Sequence, residues 1–353
     1  MKKIFLIIIL CFVSASCSKW KISDLKTKKI IQIDSLKNNG YVDLFFEENR
    51  VLILTFKIHI TKTNIYIADN RQNILLVFSN TGILEMVIGK KEILDANPLF
   101  ANIMKSYFNF GVIDEITTDS QKNLFIQNRI NSGNSNNLEI SPSFVIVFDK
   151  DGTLQYTLGQ NGNADIPFYY IDEMYTDSQD RLIVISKNFS TWSVYRYRNK
   201  VHDQFVNFKE NMFIDKSDDG QLNGNIENIN IFHNSEKLLL SVAYYQNTRF
   251  KYRKIIEYRF GENAEYKGKE ILNLPDPKNE LFALLEDQYI MLWDVDENEL
   301  KFSIWNFQDS IVNNKRIPVG DGVTYFMDIL LDEEGTIHTV SVKKDFIQIE
   351  AWE

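Results

Sequence analysis

The sequence is poor in residues that several common protein classes need. Its 353 residues include two cysteines, four histidines and six prolines, and lysine plus arginine (39) are outnumbered by aspartate plus glutamate (48). A formal net charge of −9 argues against a nucleic-acid binder, because such proteins carry clustered basic residues. One cluster at 249–254 combines basic and aromatic residues, and we interpret it as a long solvated hairpin. We therefore expect no nucleic-acid partner.

Motifs of known enzyme classes are also lacking. The histidines are scattered, without metal-ligand spacing, and the sequence has no Gly-x-Ser-x-Gly nucleophile elbow and no phosphate-binding glycine loop. The sequence therefore assigns no catalytic residue and favours a binding protein. Because residues from distant parts of a chain can converge in a fold, an enzyme is kept as the alternative.

The N-terminus has the layout of an export signal. Lys2 and Lys3 precede an apolar run, Ile4–Phe12, which is followed by small residues at 14–16. A charged start, a short apolar core and a small-residue cleavage site are typical of a secretory leader. The run of about nine residues is much shorter than the roughly 20 of a membrane-spanning helix. We expect export, with loss of both lysines taking the net charge to about −11.

Cys17 indicates what kind of leader this is. Cys11 lies inside the leader, so the mature chain would keep one thiol and no internal disulfide. A lone thiol outside the cell is reactive, and acylation removes that reactivity. The segment Val13–Cys17 resembles a bacterial lipobox, with its aliphatic residue one place farther upstream than usual, as in spirochaetes. The resemblance implies lipid attachment at Cys17 and anchoring in the cell envelope, at its periplasmic face or the cell surface. An ordinary leader cleaved near Ser16 is the alternative.

The mature part is internally repetitive. The segments Ile113–Leu124 (IDEITTDSQKNL) and Ile171–Leu182 (IDEMYTDSQDRL) are identical at eight of twelve positions. Each reads as a short strand, a polar turn and a second strand. Four weaker segments share this outline and bring the number of repeat starts to six: Asp43–Leu52, Asn228–Leu238, Leu281–Met291 and Asp328–Ile337.

A second repeated element follows some of these starts. Ile74–Gly89 and Phe144–Gly159 each read as two apolar strands joined by a polar turn with glycine, which predicts a β-hairpin. Four antiparallel strands in one unit form a propeller blade. We predict an all-β protein, a β-propeller of six four-stranded blades with few helices. The last unit has room for three strands only, so Lys29–Asp34 is predicted to complete it and close the ring.

Some of these residues resemble a known repeat. Ile65–Asp69, then Val77 and Phe78, then Gly82 and Gly89 are similar to the NHL repeat, and Gly152 and Gly159 match its last part. The chain thus resembles the NHL-type six-bladed propeller lipoproteins of bacteria. With no linker-like stretch in the mature chain, we expect a signal peptide at 1–16, a lipid-anchored tether at 17–27 and one propeller at 28–353.

Ligands of propellers usually sit over the central channel. The first residues of the six innermost strands, and the last residues of the second strands, would line its mouth. The candidates for a ligand or a metal are Asp43, Asp69, Asp114, Glu115, Asn128, Asp172, Glu173, Asn228 and Asp328. Asp119, Asp177 and Asp332 would lie at the opposite end, where aspartate often stabilises turns.

These observations lead to two functional hypotheses. The first is a monomeric, membrane-anchored lipoprotein that binds a protein or glycan partner through a propeller face, without a cofactor. Aromatic residues are plentiful at 13% and suit both blade packing and binding faces. The second is a propeller hydrolase or lyase with Ca²⁺ at the channel mouth, held by acids such as Glu115 and Glu173, because calcium prefers oxygen ligands.

Overall fold

The fold was analysed in a computed structural model of the chain. Cys17, the leader and most of the first expected repeat start lie outside the residues that it describes. The described residues are 22–36, 40–44, 56–130, 142–160, 162–163, 165–189, 191–209, 212–217, 220–261, 268–296, 299–308, 310–318 and 326–353.

Strands of the described residues form six sheets arranged as the blades of a β-propeller. Blade one comprises β3 (Phe56–Ile60), β4 (Asn64–Asp69), β5 (Ile74–Ser79), β6 (Leu84–Gly89) and β7 (Met104–Tyr107). Blade two comprises β8 (Val112–Thr118), β9 (Leu124–Arg129), β10 (Ser143–Phe148) and β11 (Leu154–Leu158). Blade three comprises β12 (Tyr170–Thr176), β13 (Leu182–Lys187), β14 (Thr191–Arg198) and β15 (Val201–Lys209).

The other three blades follow the same antiparallel order. Blade four comprises β16 (Ile214–Ser217), β17 (Gly220–Ile231), β18 (Lys237–Gln246), β19 (Arg249–Arg259) and β20 (Lys269–Leu274). Blade five contains β21 (Glu280–Leu285), β22 (Tyr289–Val295), β23 (Glu299–Asn306) and β24 (Ser310–Pro318). Blade six contains β25 (Phe326–Leu331), β26 (Ile337–Val342) and β27 (Phe346–Trp352). The predicted all-β propeller with six blades is confirmed.

An N-terminal strand completes blade six. Strand β2 (Thr27–Asp34) pairs antiparallel with β27, from Thr27 opposite Trp352 to Asp34 opposite Phe346. Without β2 the last blade would present an unpaired outer edge, which stable proteins avoid. The predicted closure by 29–34 is therefore confirmed, with the strand starting two residues earlier.

Part of the expected tether also belongs to the fold. Strand β1 (Ile22–Asp24) pairs in parallel with β24 and adds a fifth strand to blade five. Leu25, which follows it, is 6% exposed and packs in one cluster with Phe302 and Ile317. The edge of β24 and this apolar contact explain why residues 22–25, inside the range 17–27, belong to the propeller.

Helices are rare, as predicted. The described residues contain the short helix α1 (Lys91–Ala96) and a 3₁₀ turn at Pro98–Phe100, both between β6 and β7. This insertion brings β7 alongside β6 in parallel and lengthens the spacing between the first units. None of the helices in the described part of the chain has the length and apolar character needed to cross a membrane.

The core lies between neighbouring blades. Leu75 and Ile88 of blade one pack in the same cluster as Ile113 and Phe148 of blade two. Because each blade is covered on both faces, β4 is buried along its whole length. This is why its sequence is an almost unbroken apolar run, instead of alternating between apolar and polar residues.

The basic segment 249–254 forms the start of β19 in a hairpin with β18, as expected. It is not wholly solvated, however, because the side chain of Arg253 is only 3% exposed. The Arg253 Nε group donates to Glu227 Oε2 at 2.5 Å, and a buried guanidinium requires such a partner. Arg253 is thus held by contacts within the fold.

The repeated Asp-Ser-Gln segments form turns at the ends of the inner strands. Asp119 Oδ1 accepts hydrogen bonds from the backbone N–H groups two and four residues later, at 3.0 and 2.8 Å. Asp177 Oδ1 does the same, at 2.9 Å each. The expectation that Asp119, Asp177 and Asp332 lie at the end opposite the strand starts is confirmed, because each directly follows its inner strand.

Neighbouring blades are linked at this same end. The backbone N–H and the hydroxyl of Ser120 donate to the two carboxylate oxygens of Asp180, both at 2.8 Å. The Ser178 N–H donates to the carbonyl oxygen of His233, whose own N–H donates to Asp287 Oδ1 at 2.6 Å. These contacts join blades two to three, three to four and four to five.

Candidate functional site

The six innermost strands start at the same end of the propeller. They are β3, β8, β12, β17, β21 and β25, and several of them contact their neighbours around the axis. We call the end at which they start the channel mouth. In each antiparallel pair the second strand ends at this level, so its last residues lie there too.

Bulges shape the inner strands near the mouth. In β8 the pairing register shifts between Ile113 and Ile116, which leaves Asp114 and Glu115 in the irregular stretch. A bulge inserts an unpaired residue and changes the direction of a side chain. Equivalent shifts occur after Ile171 in β12, Ile226 in β17 and Leu281 in β21. The repeated Ile-Asp-Glu motif therefore marks a bulge in blades two and three.

The two acids of blade two point in different directions. Asp114 Oδ2 lies 3.0 Å from Arg129 Nε of the adjacent strand β9. Glu115 Oε1 instead accepts a hydrogen bond from Lys57 Nζ of blade one at 2.5 Å. Glu115 is thus the acid that faces the channel, whereas Asp114 is paired within its own blade.

Lys57 is the fixed cation of this channel. Burial alone would lower its pKa, but the fields of Glu115, Asp328 and Glu173 outweigh burial and raise the pKa above its ordinary value. These carboxyl groups come from β8, β25 and β12. The Lys57 ammonium group is therefore a counter-charge for acids from three other inner strands. The side chain of Lys57 is one-third exposed, as expected for a group reached by solvent along the channel.

Two channel acids titrate near neutral pH. Burial raises the pKa of Glu115 to about 7, with Lys57 opposing the shift and Glu173 adding to it. Burial also raises the pKa of Glu173 to about 7, opposed by a hydrogen bond from the Tyr175 hydroxyl and increased by the charge of Asp172. The channel can therefore release or take up protons when a charged ligand enters it.

Asp172 and Asp328 complete the acidic surroundings of Lys57. Burial raises the pKa of each, and Lys57 opposes both shifts. Lys187, across the strand pair from Tyr170, also acts on Asp172. Asp328 additionally accepts the N–H of the following residue at 2.8 Å. Asp172 and Asp328 are each the third residue of an inner strand, β12 and β25.

Asn228 has a structural role in this arrangement. Its amide nitrogen donates to the carbonyl oxygen of Leu281 at 3.4 Å, and its side-chain oxygen accepts from the Asn230 amide at 3.0 Å. The first contact joins β17 to β21. Asn228 thus lies at the mouth but is used in fastening two blades.

Two further sequence candidates, Asp69 and Asn128, lie at the end of a second strand and are engaged by the fold. Asp69 is completely buried and accepts hydrogen bonds from the N–H groups of Asp43, Arg71 and Gln72. Asn128 is 6% exposed, and its side-chain oxygen accepts the Gly111 N–H at 2.7 Å. The side-chain oxygens of both residues are therefore used in holding backbone N–H groups of neighbouring segments.

Asp43 requires a correction. It was expected to open the innermost strand of blade one, but that strand is β3, which starts at Phe56. The backbone of Asp43 instead bonds to Asp69, and its carboxylate accepts from Arg71 Nε at 2.9 Å. The order of acidic and apolar residues in 43–52 resembles the start of the other inner strands. The sequence of β3 does not begin with an acidic residue, so this pattern does not identify it.

The same error concealed Lys57, which the sequence candidates omit. The signal that could have found it is the strict alternation of Phe56-Lys57-Ile58-His59-Ile60, in which Ile58 and Ile60 are buried. Such alternation is typical of a strand with one face on a core and the other on a polar channel.

Exposed aromatic residues accompany the acids on blades two and three. Tyr169 and Tyr170 lie at the entry to β12, and they are 51% and 46% exposed. Phe189, in the loop beside them after β13, is 96% exposed, and Ile130 at the end of β9 is 48% exposed. Burial, followed by the charge of Asp172, raises the pKa of Tyr170. This aromatic patch was not predicted, although the Phe-Tyr-Tyr sequence before the Ile-Asp-Glu motif is its signal.

No metal site is formed by the described residues. Among them, no three or more His, Cys, Asp or Glu side chains are grouped in a way that could hold a metal ion. The positive charge in this channel comes from Lys57, whose ammonium group bonds to Glu115.

Comparisons with known proteins find only remote structural likeness. No protein-family model matches the sequence, and none of the curated proteins matches it. Among solved structures, the polysaccharide lyase Uly1 is 9% identical, with a TM-score of 0.47 over 94% of this chain and 99% of that one. The WD40 domain of Toxoplasma gondii coronin is 7% identical, with a TM-score of 0.47 over 94% and 88%.

A third similar structure is the β-propeller domain of the Trilobed protease from Pyrococcus furiosus. It is 9% identical, with a TM-score of 0.40 over 92% of this chain and 80% of that one. Likeness at this level concerns the fold and assigns no activity. The similarity to NHL repeats and the lipobox remains a prediction.

Proposed function

We propose that this protein is an exported lipoprotein, anchored in the cell envelope through Cys17, that binds a protein or glycan partner at the channel mouth. It acts as a monomer and does not bind nucleic acid. The observation that carries the proposal is the aromatic patch of Tyr169, Tyr170 and Phe189 beside the acids that surround Lys57.

The aromatic patch supports a binding role for energetic reasons. A ring such as that of Phe189, 96% exposed, gains from burial against a partner, about 25 cal/mol per Å² of apolar surface. Exposed aromatic residues grouped on one face are typical of interaction sites. Tyr169 and Tyr170 add hydroxyl groups that can form hydrogen bonds at such an interface.

The charges at the mouth favour partners with hydrogen-bond donors. Glu115, Glu173, Asp172 and Asp328 surround the ammonium group of Lys57, and Lys187 also acts on Asp172. A partner that presents hydroxyl, amide or ammonium groups would find acceptors there. Both a glycan and a polar protein segment meet this requirement, while an anionic ligand would be repelled by the surplus of carboxylates.

The position of the N-terminal strand supports an orientation for the anchored protein. Five residue steps separate Cys17 from Ile22 of β1 and span at most about 18 Å. A lipid on Cys17 would therefore keep the outer edge of blade five close to the bilayer. Lys26 and Lys28 in the adjoining segment are exposed, and basic residues near a membrane are attracted to anionic lipids. The channel mouth would then remain open to partners.

The enzyme alternative has one specific observation in its favour. Glu115 and Glu173 each have a pKa near 7, which suits general acid and base catalysis at neutral pH. A hydrolase or lyase would use this pair on a substrate in the channel. The calcium in that hypothesis competes with Lys57, whose ammonium group already neutralises Glu115, so we favour binding.

The proposal is tested by partner capture from detergent-solubilised envelopes. The wild type, a Tyr170→Ala/Phe189→Ala variant and a Tyr107→Ala control would serve as baits. Tyr107 is 50% exposed but lies on the outer strand of blade one. We expect a partner that the wild type and the control retain and the double variant loses. Equal capture by all three would overturn the assignment of the mouth.

Anchoring is tested separately. Mass spectrometry of the N-terminal peptide should show an acylated Cys17, and Cys17→Ser should move the protein from the membrane fraction to the soluble fraction. An unmodified thiol in the mature protein would refute the lipoprotein assignment while leaving the binding face untouched.

A further inference from the structure

A cavity lies at the opposite end of the propeller, between blades two and three. Its volume is about 330 Å³, at the lower end of the range for small-molecule sites. Its wall includes Asp119, which follows the end of β8, and Leu182, which starts β13. These positions belong to the end of the inner strands, so the cavity is separate from the channel mouth. We call it the lower cavity.

The lower cavity has an apolar floor. Phe125, Val147 and Leu182 contribute to its lining and are 5%, 2% and 2% exposed. They come from strands of both blades and belong to the core between them. A ligand with one apolar face could therefore lie against this floor.

The rim of the cavity is polar and carries three kinds of group. Carboxylates, carboxamides and one phenol surround the apolar floor. They are Asp119, Asp149, Asp180, Gln121, Asn123, Gln155, Asn199 and Tyr156. Groups that donate and groups that accept hydrogen bonds therefore face the same space.

The carboxylates are held in place by the fold. Asp119 and Asp149 each accept two backbone N–H groups of their turns and one side-chain amide, from Asn123 at 2.7 Å and from Gln155 at 2.9 Å. Asp180 accepts both groups of Ser120. Turn formation thus explains why these acids are present. Each carboxylate has about four acceptor positions, so acceptor capacity remains for a ligand.

Two other polar groups of the cavity form no hydrogen bond with the described residues. In the described part of the chain, the hydroxyl of Tyr156 and the side-chain amide of Gln121 form no hydrogen bond. Burial, with a contribution from Asp119, raises the pKa of Tyr156, so its hydroxyl stays protonated and can donate. Lys200 Nζ lies 4.9 Å from the centre of the ring and fixes one side of it.

This combination restricts the ligand. Three carboxylates against one ammonium group disfavour an anion, and the polar rim disfavours a purely apolar molecule because its groups would lose water without replacement. No group of acids in the described residues has a metal-binding arrangement. Neighbouring hydroxyl groups both donate to carboxylates and accept from amides and phenols, and a sugar ring also has an apolar C–H face.

We infer that the lower cavity is a second binding site, which takes one or two units of a neutral sugar. The apolar floor receives the C–H face, Asp119 and Asp149 accept from hydroxyl groups, and Gln121 and Tyr156 donate to them. The inference depends on this cavity alone, and it stands or fails independently of the function proposed for the channel mouth.

The site is tested by saturation-transfer NMR with neutral sugars. The probes are glucose, galactose, N-acetylglucosamine, maltose, cellobiose and lactose at millimolar concentration, each with the whole mature chain. Tyr156→Phe removes only the hydroxyl, and Gln121→Ala removes the unpartnered amide. Two matched controls are available. Gln179→Ala changes the equivalent residue of the other Asp-Ser-Gln repeat, where the side chain accepts from Arg198, and Tyr170→Phe changes the channel mouth.

We expect at least one sugar to bind the wild type and both controls, and its affinity to fall at least fivefold in Tyr156→Phe and Gln121→Ala. Circular dichroism would verify that the variants are folded. Absence of binding by all six sugars, or binding that ignores both substitutions, would overturn the inference. If spermidine bound instead of the sugars, with the same dependence on Tyr156 and Gln121, the ligand would be cationic. That result would also overturn the inference of a neutral sugar. Loss of partner capture at the mouth with sugar binding intact would refute only the proposed function.

Discussion

The ammonium nitrogen of Lys57 lies 2.5 Å from Oε1 of Glu115, across the boundary between the inner strands of blades one and two. This contact places a single cation among carboxyl groups from three neighbouring strands. Like-charged groups held close together in a poorly solvated space repel each other unless a counter-charge is present. Lys57 therefore balances the channel electrostatically.

Replacing Lys57 by methionine should destabilise the protein at alkaline pH. The substitution keeps a similar volume but leaves Glu115, Glu173 and Asp328 without their shared counter-charge. We expect the free energy of unfolding at pH 8 to fall by about 1–3 kcal/mol, below the 3–5 kcal/mol for a fully buried pair because Lys57 is partly exposed. The loss should shrink at pH 5, where the carboxyl groups become protonated.

Chemical denaturation of a double-mutant cycle measures this effect. Lys57→Met, Glu115→Gln and their combination should show coupling, with the double variant more stable than the sum of the two single changes predicts. Strict additivity at pH 8 would mean that the contact contributes nothing to the stability of the channel.

The pH dependence of the free energy of unfolding should show the titration of Glu173. Its pKa is about 7 in the folded protein and 4.5 as an ordinary carboxyl group. Between these values the folded state binds more protons than the unfolded state, so this group makes the free energy of unfolding fall as pH rises from about 4.5 to 7. Below that window the contribution is fully favourable, and above it the contribution is lost.

Thermal and chemical denaturation of the wild type and of Glu173→Gln from pH 5 to pH 8 would test this pH dependence. Glu173→Gln should match the wild type most closely at pH 5 and gain about 1–3 kcal/mol relative to it by pH 8. Glu92→Gln, on an exposed residue of α1, should follow the wild-type curve. Burial, followed by the charge of Lys57, lowers the pKa of His59 to about 4. Below pH 6.5 this residue therefore makes the free energy of unfolding rise with pH, opposite to Glu173. Comparison with variants separates the two effects.

A buried arginine between blades three and four should be essential to stability. Arg181 Nε donates to Asp177 Oδ2 at 2.6 Å, and its other nitrogens reach the Asn234 carbonyl oxygen and the Ser235 hydroxyl. Both members of the ion pair are almost completely buried. Arg181→Ala leaves the Asp177 carboxylate buried and unpaired, and we expect a loss of about 3–5 kcal/mol in the free energy of unfolding.

Arg198 provides the control for that experiment. Its exposed side chain donates a hydrogen bond to Gln179 Oε1 at 3.3 Å, so Arg198→Ala should change stability by less than about 0.5 kcal/mol. Arg181→Lys should recover only part of the loss, because an ammonium group cannot reproduce the forked geometry of guanidinium. Similar losses for Arg181→Ala and Arg198→Ala in urea denaturation would show that the buried network is not what joins these blades.

The sequence predicted the repeats and the ring closure because both depend on patterns that recur. The near-identical segments starting at Ile113 and Ile171 aligned two blades directly, and the missing fourth strand of the last unit pointed to residues 29–34. The direction of each polar side chain was not predictable in this way. In β8 one unpaired residue forms the bulge that turns Glu115 inward and Asp114 sideways. A single such residue leaves the sequence pattern of apolar and polar residues almost unchanged.

The candidate site was predicted in part for a related reason. Inner strands β8, β12 and β25 each carry an acid near the start. Asp69, the last residue of the second strand β4, lies at the same end of its strand pair but is completely buried in hydrogen bonds to backbone groups. Whether an aspartate serves the fold or faces solvent depends on which N–H groups come near it in space. The sequence around Asp69 does not contain that information.

The closing strand β2 offers the most direct test of the ring. Ile33 is 3% exposed and packs in one cluster with Ile347 and Ile349 of the last strand, whereas Ile30 of the same strand is 60% exposed. Ile33→Ala should lower the free energy of unfolding by about 2–4 kcal/mol, because it leaves a cavity in the core. Ile30→Ala, an identical chemical change three residues away, should cost less than about 0.5 kcal/mol. Urea denaturation of the two variants would measure the difference. Since a loosened β2 exposes the edge of β27, Ile33→Ala should also aggregate more readily, and equal behaviour of the two variants would show that the N-terminal strand does not hold the ring closed.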